Sequence, residues 1–175
     1  MSLISGLLLL VLTVAFMEGF AYVMHRWLMH GRLGWVLHQS HHRARAGRFE
    51  LNDLFGVIFA IPSILLLYGG VQGGWGAWAT WVGAGIAAYG AIYVGFHDII
   101  VHHRVAHRIV PRSPYFKRIV QAHRLHHAVE SRDGAVSFGF LWAPPVDQLR
   151  VALAGRLRAP AGDSTAPRGR ASERA

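Results

Sequence analysis

Apolar residues along this chain are gathered into long blocks, and the charged ones are confined between them. Residues 3–24 form a run with a single charge, Glu18. At about 1.5 Å per residue, a helix of that length crosses a hydrocarbon core of roughly 30 Å. A second run spans 54–71, where Pro62 predicts a kink and Gly69 and Gly70 lie near the end. A third spans 75–96 and opens with Trp75, Trp78 and Trp81, as an interfacial aromatic belt would. The link at 72–74 is short and Gly-rich, so the second and third runs read as a helical hairpin. Residues 136–155 are a weaker apolar stretch, broken by Pro144 and Pro145 and carrying Asp147 and Arg150. They read as re-entrant or interfacial. The pattern predicts an all-α integral membrane bundle of three or four transmembrane or re-entrant helices. A cleaved signal peptide fits the first run poorly, since no basic region precedes it and no small-x-small site follows.

The charges sharpen this picture. Of the 175 residues, 18 are Lys or Arg, and the formal net charge is +9. All the basic residues fall in 25–50, in 97–132 or in the tail from Arg150. A nucleic-acid binder of this charge would intersperse basic and aromatic residues along one face; alternating apolar and basic blocks belong to a membrane protein. Short Arg-rich loops stay in the cytoplasm, so both basic windows are expected on that side, as a His-rich helical cap. Residues 1–158 read as one membrane-bound domain. From 159 to 175, Pro, Gly, Ser and Arg dominate and predict a disordered basic tail. There is no Cys, which excludes a disulfide framework, thiolate zinc, a Cys-held iron–sulfur cluster and thiolate-ligated haem. That lack, with Arg far above Lys, is compatible with a bacterial protein of the cytoplasmic membrane.

All twelve His lie in 25–42 or 97–127. Each window holds the same spacings in the same order. His25 and His30 (H-x4-H) precede His38, His41 and His42 (H-x2-H-H). His97 and His102 precede His123, His126 and His127 in the same way. Neutral imidazole ligates Fe, Zn, Cu and Ni. In H-x2-H-H, residues i, i+3 and i+4 share a helix face, so one turn is expected to aim three imidazoles at one place. In H-x4-H, the two residues are about 140° apart on an ideal helix and converge only if the helix ends, bends or lies between two metals. Two sets of five would hold two metals, or one shared dinuclear centre. His103 and His107 have i, i+4 spacing but no counterpart in the first window, and read as surface or supporting residues.

Few acids lie near the clusters: Glu18, Asp53, Asp98, Glu130 and Asp133. They suit the task of accepting the outer ring N–H of a ligating His. Asp98 and Asp133 are the candidates, an ordinary ion pair with a neighbouring Arg being the other reading of Asp98. Zinc would accept these ligands but has no redox change with which to activate O2.

These boxes resemble those of the membrane-bound non-haem di-iron oxygenases, the fatty acid hydroxylase superfamily. The strings HRWLMHG at 25–31, HQSHH at 38–42, NDL at 52–54 and QAHRLHHAV at 121–129 are similar to the bacterial β-carotene hydroxylases within it. VSFGF at 136–140 and APP at 143–145 narrow the resemblance to that carotenoid branch. The resemblance implies that His25, His30, His38, His41, His42, His97, His102, His123, His126 and His127 ligate two iron ions. It implies O2 as cosubstrate and two electrons from a ferredoxin-type donor. The reaction implied is hydroxylation of β-ionone rings at C3, from β-carotene through β-cryptoxanthin to zeaxanthin. Nothing transfers to His103 and His107. No flavin or nicotinamide fingerprint is present, so electrons must come from another protein, and a basic face would steer an acidic one. Carotenoids dissolve in the bilayer, and Phe20, Tyr22, Trp27, Phe138 and Phe140 are candidates to line the approach. The alternatives are another superfamily enzyme (a carotenoid ketolase, or a sterol or fatty acyl hydroxylase or desaturase) and a non-enzymatic membrane metal or haem protein.

Overall fold

The computed structural model describes residues 1–44 and 47–158. The tail from 159 to 175 lies outside them. Among the described residues every regular element is helical. Helix α1 (Leu3–Val23) begins at Ser2, whose side chain accepts the Ser5 N–H, and is followed by the short α2 (Trp35–His38). Helices α3 (Asp53–Val71) and α4 (Ala77–Tyr93) form the expected hairpin, turned through Gly74 and Gly76 at positive φ. Helix α3 runs on through Pro62. Helix α5 (Pro114–His126) starts on the Ser113 cap with Pro in its first turn, and α6 (Val146–Arg158) closes the described chain.

Three helices are long and apolar enough to cross a membrane: Leu3–Met29, Asp53–Val71 and Ala77–Val101. Their apolar side chains mostly face outward; Leu7, Leu8, Val11, Leu12 and Phe16 of α1 are all exposed. In water such a surface would be far larger than a monomer tolerates; lipid is its natural surrounding. Helix α4 is the central one, with α1 and α3 packed on it. Small residues allow the approach. A Cβ on Gly85 would lie 2.6 Å from Thr13 Cβ of α1, and one on Gly83 would lie 2.9 Å from the Leu67 backbone nitrogen of α3.

The first and third spans outlast the apolar runs that predicted them. Each ends in a π-helical segment, Met24–Met29 after α1 and Val94–Val101 after α4. His30 N–H donates to the His25 carbonyl, and His102 N–H to that of His97, both at 3.0 Å. A bond from i to i+5 stacks residues five apart on one side, which an α-helix cannot do. Of the distortions that H-x4-H admits, the chain uses this one. A sharp reversal follows the first π segment: a Cβ on Gly31 would collide with the Trp27 carbonyl.

Residues 136–155 do not form a re-entrant helix. Residues 127–145 are an irregular strap, and only Val146–Arg158 is helical, about 20 Å long and too short to span a bilayer. The apolar residues that suggested membrane entry are buried against protein instead. Val129, Ala135, Val136, Phe138 and Ala143 of the strap join Ile119 and Ala122 of α5 and Leu149 and Leu153 of α6 in one core. Glu18, the only charge in the first run, anchors the far end of this strap. Its Oε1 accepts the backbone N–H groups of Phe140, Leu141 and Trp142 at 2.9, 2.9 and 3.1 Å. Its Oε2 accepts the Tyr89 hydroxyl of α4 at 2.9 Å.

Glu18→Ala removes the acceptor of three strap amides. We expect a loss of about 1–3 kcal/mol in stability and faster amide hydrogen exchange confined to the 138–142 region. Glu18→Gln keeps an acceptor oxygen and should lose less in both measurements.

Candidate metal centre

The ten His of the two boxes converge into two adjacent cages, but not box by box. His25, His30, His38, His42 and His126 form the first cage; His41, His97, His102, His123 and His127 form the second. Within each cage one nitrogen per residue lies within 4.8 Å of all the others. Each H-x2-H-H motif is therefore split, contrary to the expectation that its three rings meet at one place. The i and i+4 residues stay together, and the i+3 residue crosses to the other cage. Geometry explains this: on α5, His127 lies about 40° from His123 around the axis and His126 about 60° to the other side. The first motif does the same in a tighter form, where His41 N–H donates to the His38 carbonyl and His42 N–H to that of Gln39. The π segments bring the remaining pairs close. Ring centroids of His25 and His30 are 5.3 Å apart, and those of His97 and His102 are 4.5 Å apart. The cages share a wall, with His42 and His127 stacked at 4.5 Å.

The outer ring nitrogens are held by the protein. Four of the first cage donate Nδ1–H to strap carbonyls: His25 to Phe138 at 2.9 Å, His30 to Arg132 at 2.8 Å, His42 to Val129 at 2.8 Å and His126 to Val136 at 3.1 Å. His38 donates to Asn52 Oδ1 at 2.7 Å. In the second cage, His41 donates to Glu50 at 3.0 Å and His97 to Asp98 at 2.7 Å. A carbonyl only accepts, and a neutral imidazole has one N–H, so Nε2 of His25, His30, His42 and His126 is a bare lone pair. These bare nitrogens face one another: His30 and His42 each lie 3.2 Å from His126 Nε2. In the second cage His41 and His97 Nε2 are 3.0 Å apart, and His127 Nε2 is buried without a hydrogen-bond partner. Converging lone pairs repel unless a cation sits among them. The donor set therefore fits a metal ion in each cage, with outer partners in place on all five rings of the first and on His41 and His97 of the second.

Asp98 fills both roles weighed for it, accepting from His97 and lying 3.8 Å from Arg104. Asp133 does not serve a ring. It pairs with Arg132 at 3.0 Å with its side chain 81% exposed, and the backbone carbonyl of Arg132 takes the His30 proton instead. Asp53 accepts from Arg104 at 2.6 and 3.0 Å, and Arg104 also reaches Glu50 at 3.3 Å. One guanidinium thus ties together three acids, two of which hold rings of the second cage. Sequence reasoning missed Glu50 and Arg104, and of Asn52 had only the NDL resemblance. The strap carbonyls were beyond it, since a carbonyl leaves no trace in residue type. His107 donates to the Ile99 carbonyl at 2.7 Å and accepts from Ile109 N–H at 3.0 Å, with His103 stacked on it. This pair braces the loop after the third span and belongs to neither cage.

A cavity of about 720 Å³ lies between α1, α3 and α4 beside the cages. Phe20 and Phe140 line it. Tyr22, Trp27 and Phe138 do not. Trp27 is 61% exposed, Tyr22 packs edge-on to Trp27 and Phe138, and Phe138 seals the first cage against His25, His30 and His126.

Burial, reinforced by neighbouring imidazoles, pushes the His38 pKa down to about 3 and that of His127 to about 2. Burial likewise takes His42 to about 4, and holds His41, His123 and His126 well below the usual imidazole range. All are neutral imidazoles at pH 7. Below 6.5 the unfolded chain binds protons that the folded one refuses, so stability rises with pH across the window from about 4 to 6.5. We expect the melting temperature of the purified protein to be level above about pH 7.5 and to fall steadily between about pH 6.5 and 4.5.

Residues 10–149 match the model of the fatty acid hydroxylase family. A beta-carotene hydroxylase of Paracoccus sp. (strain N81106 / MBIC 01143) is 47% identical over 164 residues, covering 92% of this chain and 99% of that one. One from Paracoccus sp. (strain PC1) is 50% identical over 146 residues, 83% and 89% of the two chains. One from Pantoea ananas is 49% identical over 155 residues, 89% and 87%. No solved structure matches the chain significantly.

Proposed function

The chain belongs to the fatty acid hydroxylase family, and from that premise we propose that it is a carotenoid hydroxylase. It inserts oxygen from O2 at C3 of β-ionone rings, taking β-carotene through β-cryptoxanthin to zeaxanthin. The observation that carries this reading is the pair of five-His cages set at the ends of apolar helices, in a chain 47–50% identical to beta-carotene hydroxylases.

The ten His would hold two iron ions, one set of five in each cage. When bound, they supply the redox chemistry needed to use O2 against an unactivated C–H bond, which no side chain can supply. The chain's own groups hold and seal the site. Strap carbonyls and Asn52 fix the first cage in the tautomer that turns Nε2 inward. Glu50 and Asp98 do the same in the second while placing carboxylate charge behind its rings. The two cages therefore differ, one backed by neutral carbonyls and the other by acids balanced on Arg104. Phe140 stacks on His25 and meets His97 at a right angle, Phe138 meets His126 likewise, and the two rings keep water off the imidazoles.

Electrons come from a ferredoxin-type donor, since the chain has no cysteine with which to hold an iron–sulfur cluster. Arg32, Arg43, Arg108, Arg112, Lys117 and Arg124 are exposed in the two windows that carry the cages, and positive charge there steers an acidic partner. The same charge favours the cytoplasmic side of a bacterial membrane for these windows, and with them the active site.

Expression in a β-carotene-producing host should yield zeaxanthin, and the purified protein should carry two irons per chain. Canthaxanthin, or altered lipids with unchanged carotenoid, would overturn the assignment. His126→Ala should abolish product. Asp98→Asn should weaken iron retention about 10–100-fold, seen as loss of one iron of the two during dialysis against a chelator.

A further inference from the structure

The cavity between α1, α3 and α4 has no role in the site as described so far. Its lining on α3 runs from Asp53 to Leu67, which at about 1.5 Å per residue makes it about 21 Å long. It is largely apolar along this length, the Ser63 and Tyr89 hydroxyls being spent on the Gly83 carbonyl and on Glu18, and it is charged only at the end where Asp53, Asp98 and Arg104 meet beside Asn52. That end abuts both cages: Asn52 holds His38 of the first, and Asp98 holds His97 of the second. One aromatic layer separates cavity from ligands. Phe140 lies flat on His25 at 5.5 Å and edge-on to His97 at 5.3 Å, while Tyr93 stacks on His97 at 4.4 Å. Phe140 and Tyr93 both line the cavity. Glu18 fixes Phe140 through its backbone N–H.

We propose that this cavity is the carotenoid chamber. One terminal ring is seated against Phe140 and Tyr93 at the seam of the two cages, and the polyene runs along the α3–α4 face toward the bilayer interior. The proposal rests on the functional reading above and gives it a binding site. A long, narrow, apolar space within membrane-spanning helices suits a rod-like hydrocarbon and has no charged group to receive a headgroup along its length. Residue size shapes it. Gly56 and Ala60 on α3 and Ala87 and Gly90 on α4 line the space. A Cβ at Gly56 or Gly90 would meet nothing within 4 Å, so these two glycines serve no helix contact. Their small size leaves room in the chamber.

That openness makes the test clean, because a Cβ at either position meets nothing and a larger residue there adds bulk at the chamber wall while suiting a helix better than Gly. Gly56→Leu and Gly90→Leu are made in the full chain, expressed in a β-carotene-producing host and purified. Gly19→Leu is the control, since its Cβ also meets nothing within 4 Å and it does not line the cavity. Each preparation is assayed for hydroxylated carotenoid, iron, helix content and pigment retained per chain, read from visible absorbance. The chamber variants should lose about tenfold or more of both hydroxylated product and retained pigment, with iron, helix content and the control unchanged. Product and pigment within about twofold of wild type in both chamber variants would overturn the proposal, as would equal loss in the control. If a chamber variant also loses iron, pigment retention decides, and unchanged retention counts against the chamber. Wild-type protein that retains lipid but no pigment would also overturn it. If wild type retains pigment that the chamber variants lose yet makes no hydroxycarotenoid, the chamber stands and the enzymatic reading fails. Hydroxylation intact in all variants gives the reverse.

Discussion

Ten imidazoles drawn into two cages, seven of them with the outer nitrogen donating and the lone pair turned inward, are the constraint on which the rest of this molecule depends. Bare nitrogens 3.0–3.2 Å apart repel, and no hydrogen lies between them. They are kept there because each ring whose outer nitrogen donates to a carbonyl or a carboxylate is locked in one tautomer and one orientation. A cation in each cage would turn the same arrangement from repulsive to attractive, and the hydrogen bonds made on the outside of the cages hold the rings ready for it.

Several features follow from that need. The π segments set His five apart on one side, at the expense of the better hydrogen bonds of an α-helix. The strap gives up regular structure, because its carbonyls at Val129, Arg132, Val136 and Phe138 serve the rings rather than a backbone ladder. A strap without its own ladder must be fixed from elsewhere. Its apolar side chains pack between α5 and α6, and Glu18 binds its far end to the first span. A lone acid in an apolar helix is costly, and three backbone donors with one hydroxyl are what offset it. Arg104 plays the matching part for the second cage, joining the start of α3 to the second π segment through Asp53, Glu50 and Asp98.

The two cages are alike in ligand number and unlike in backing. Neutral acceptors surround the first, and carboxylates stand behind two rings of the second. The cover of the cages is uneven as well: the wall of Phe140 and Tyr93 is one ring thick toward the cavity, whereas the strap and α5 lie against the cages elsewhere. The protein thus separates a polar, metal-binding layer from an apolar one by a single aromatic contact.

Membrane helices, their hairpin and the membership of the ten His in one site were legible in the chain, because hydropathy and residue type are local properties that survive into any fold. The repeated spacings picked out the ten His that gather, without any knowledge of geometry. What they did not declare was the exchange of His41 and His126 between cages, since that depends on which flank of a turn faces which neighbour. Asp133 illustrates the same limit: a carboxylate close in sequence lost its place to a backbone carbonyl beside it. The apolar stretch 136–155 reads as re-entrant or interfacial, yet Val136, Phe138, Ala143, Leu149 and Leu153 are buried against protein, because a pattern records the need for burial and not what supplies it. Sequence alone determined which atoms can bind metal and which segments can enter lipid. Only the tertiary structure decided how those atoms divide into two sites, who holds their outer nitrogens and where an apolar cavity lies against them, because each is set by contacts between residues up to more than a hundred positions apart.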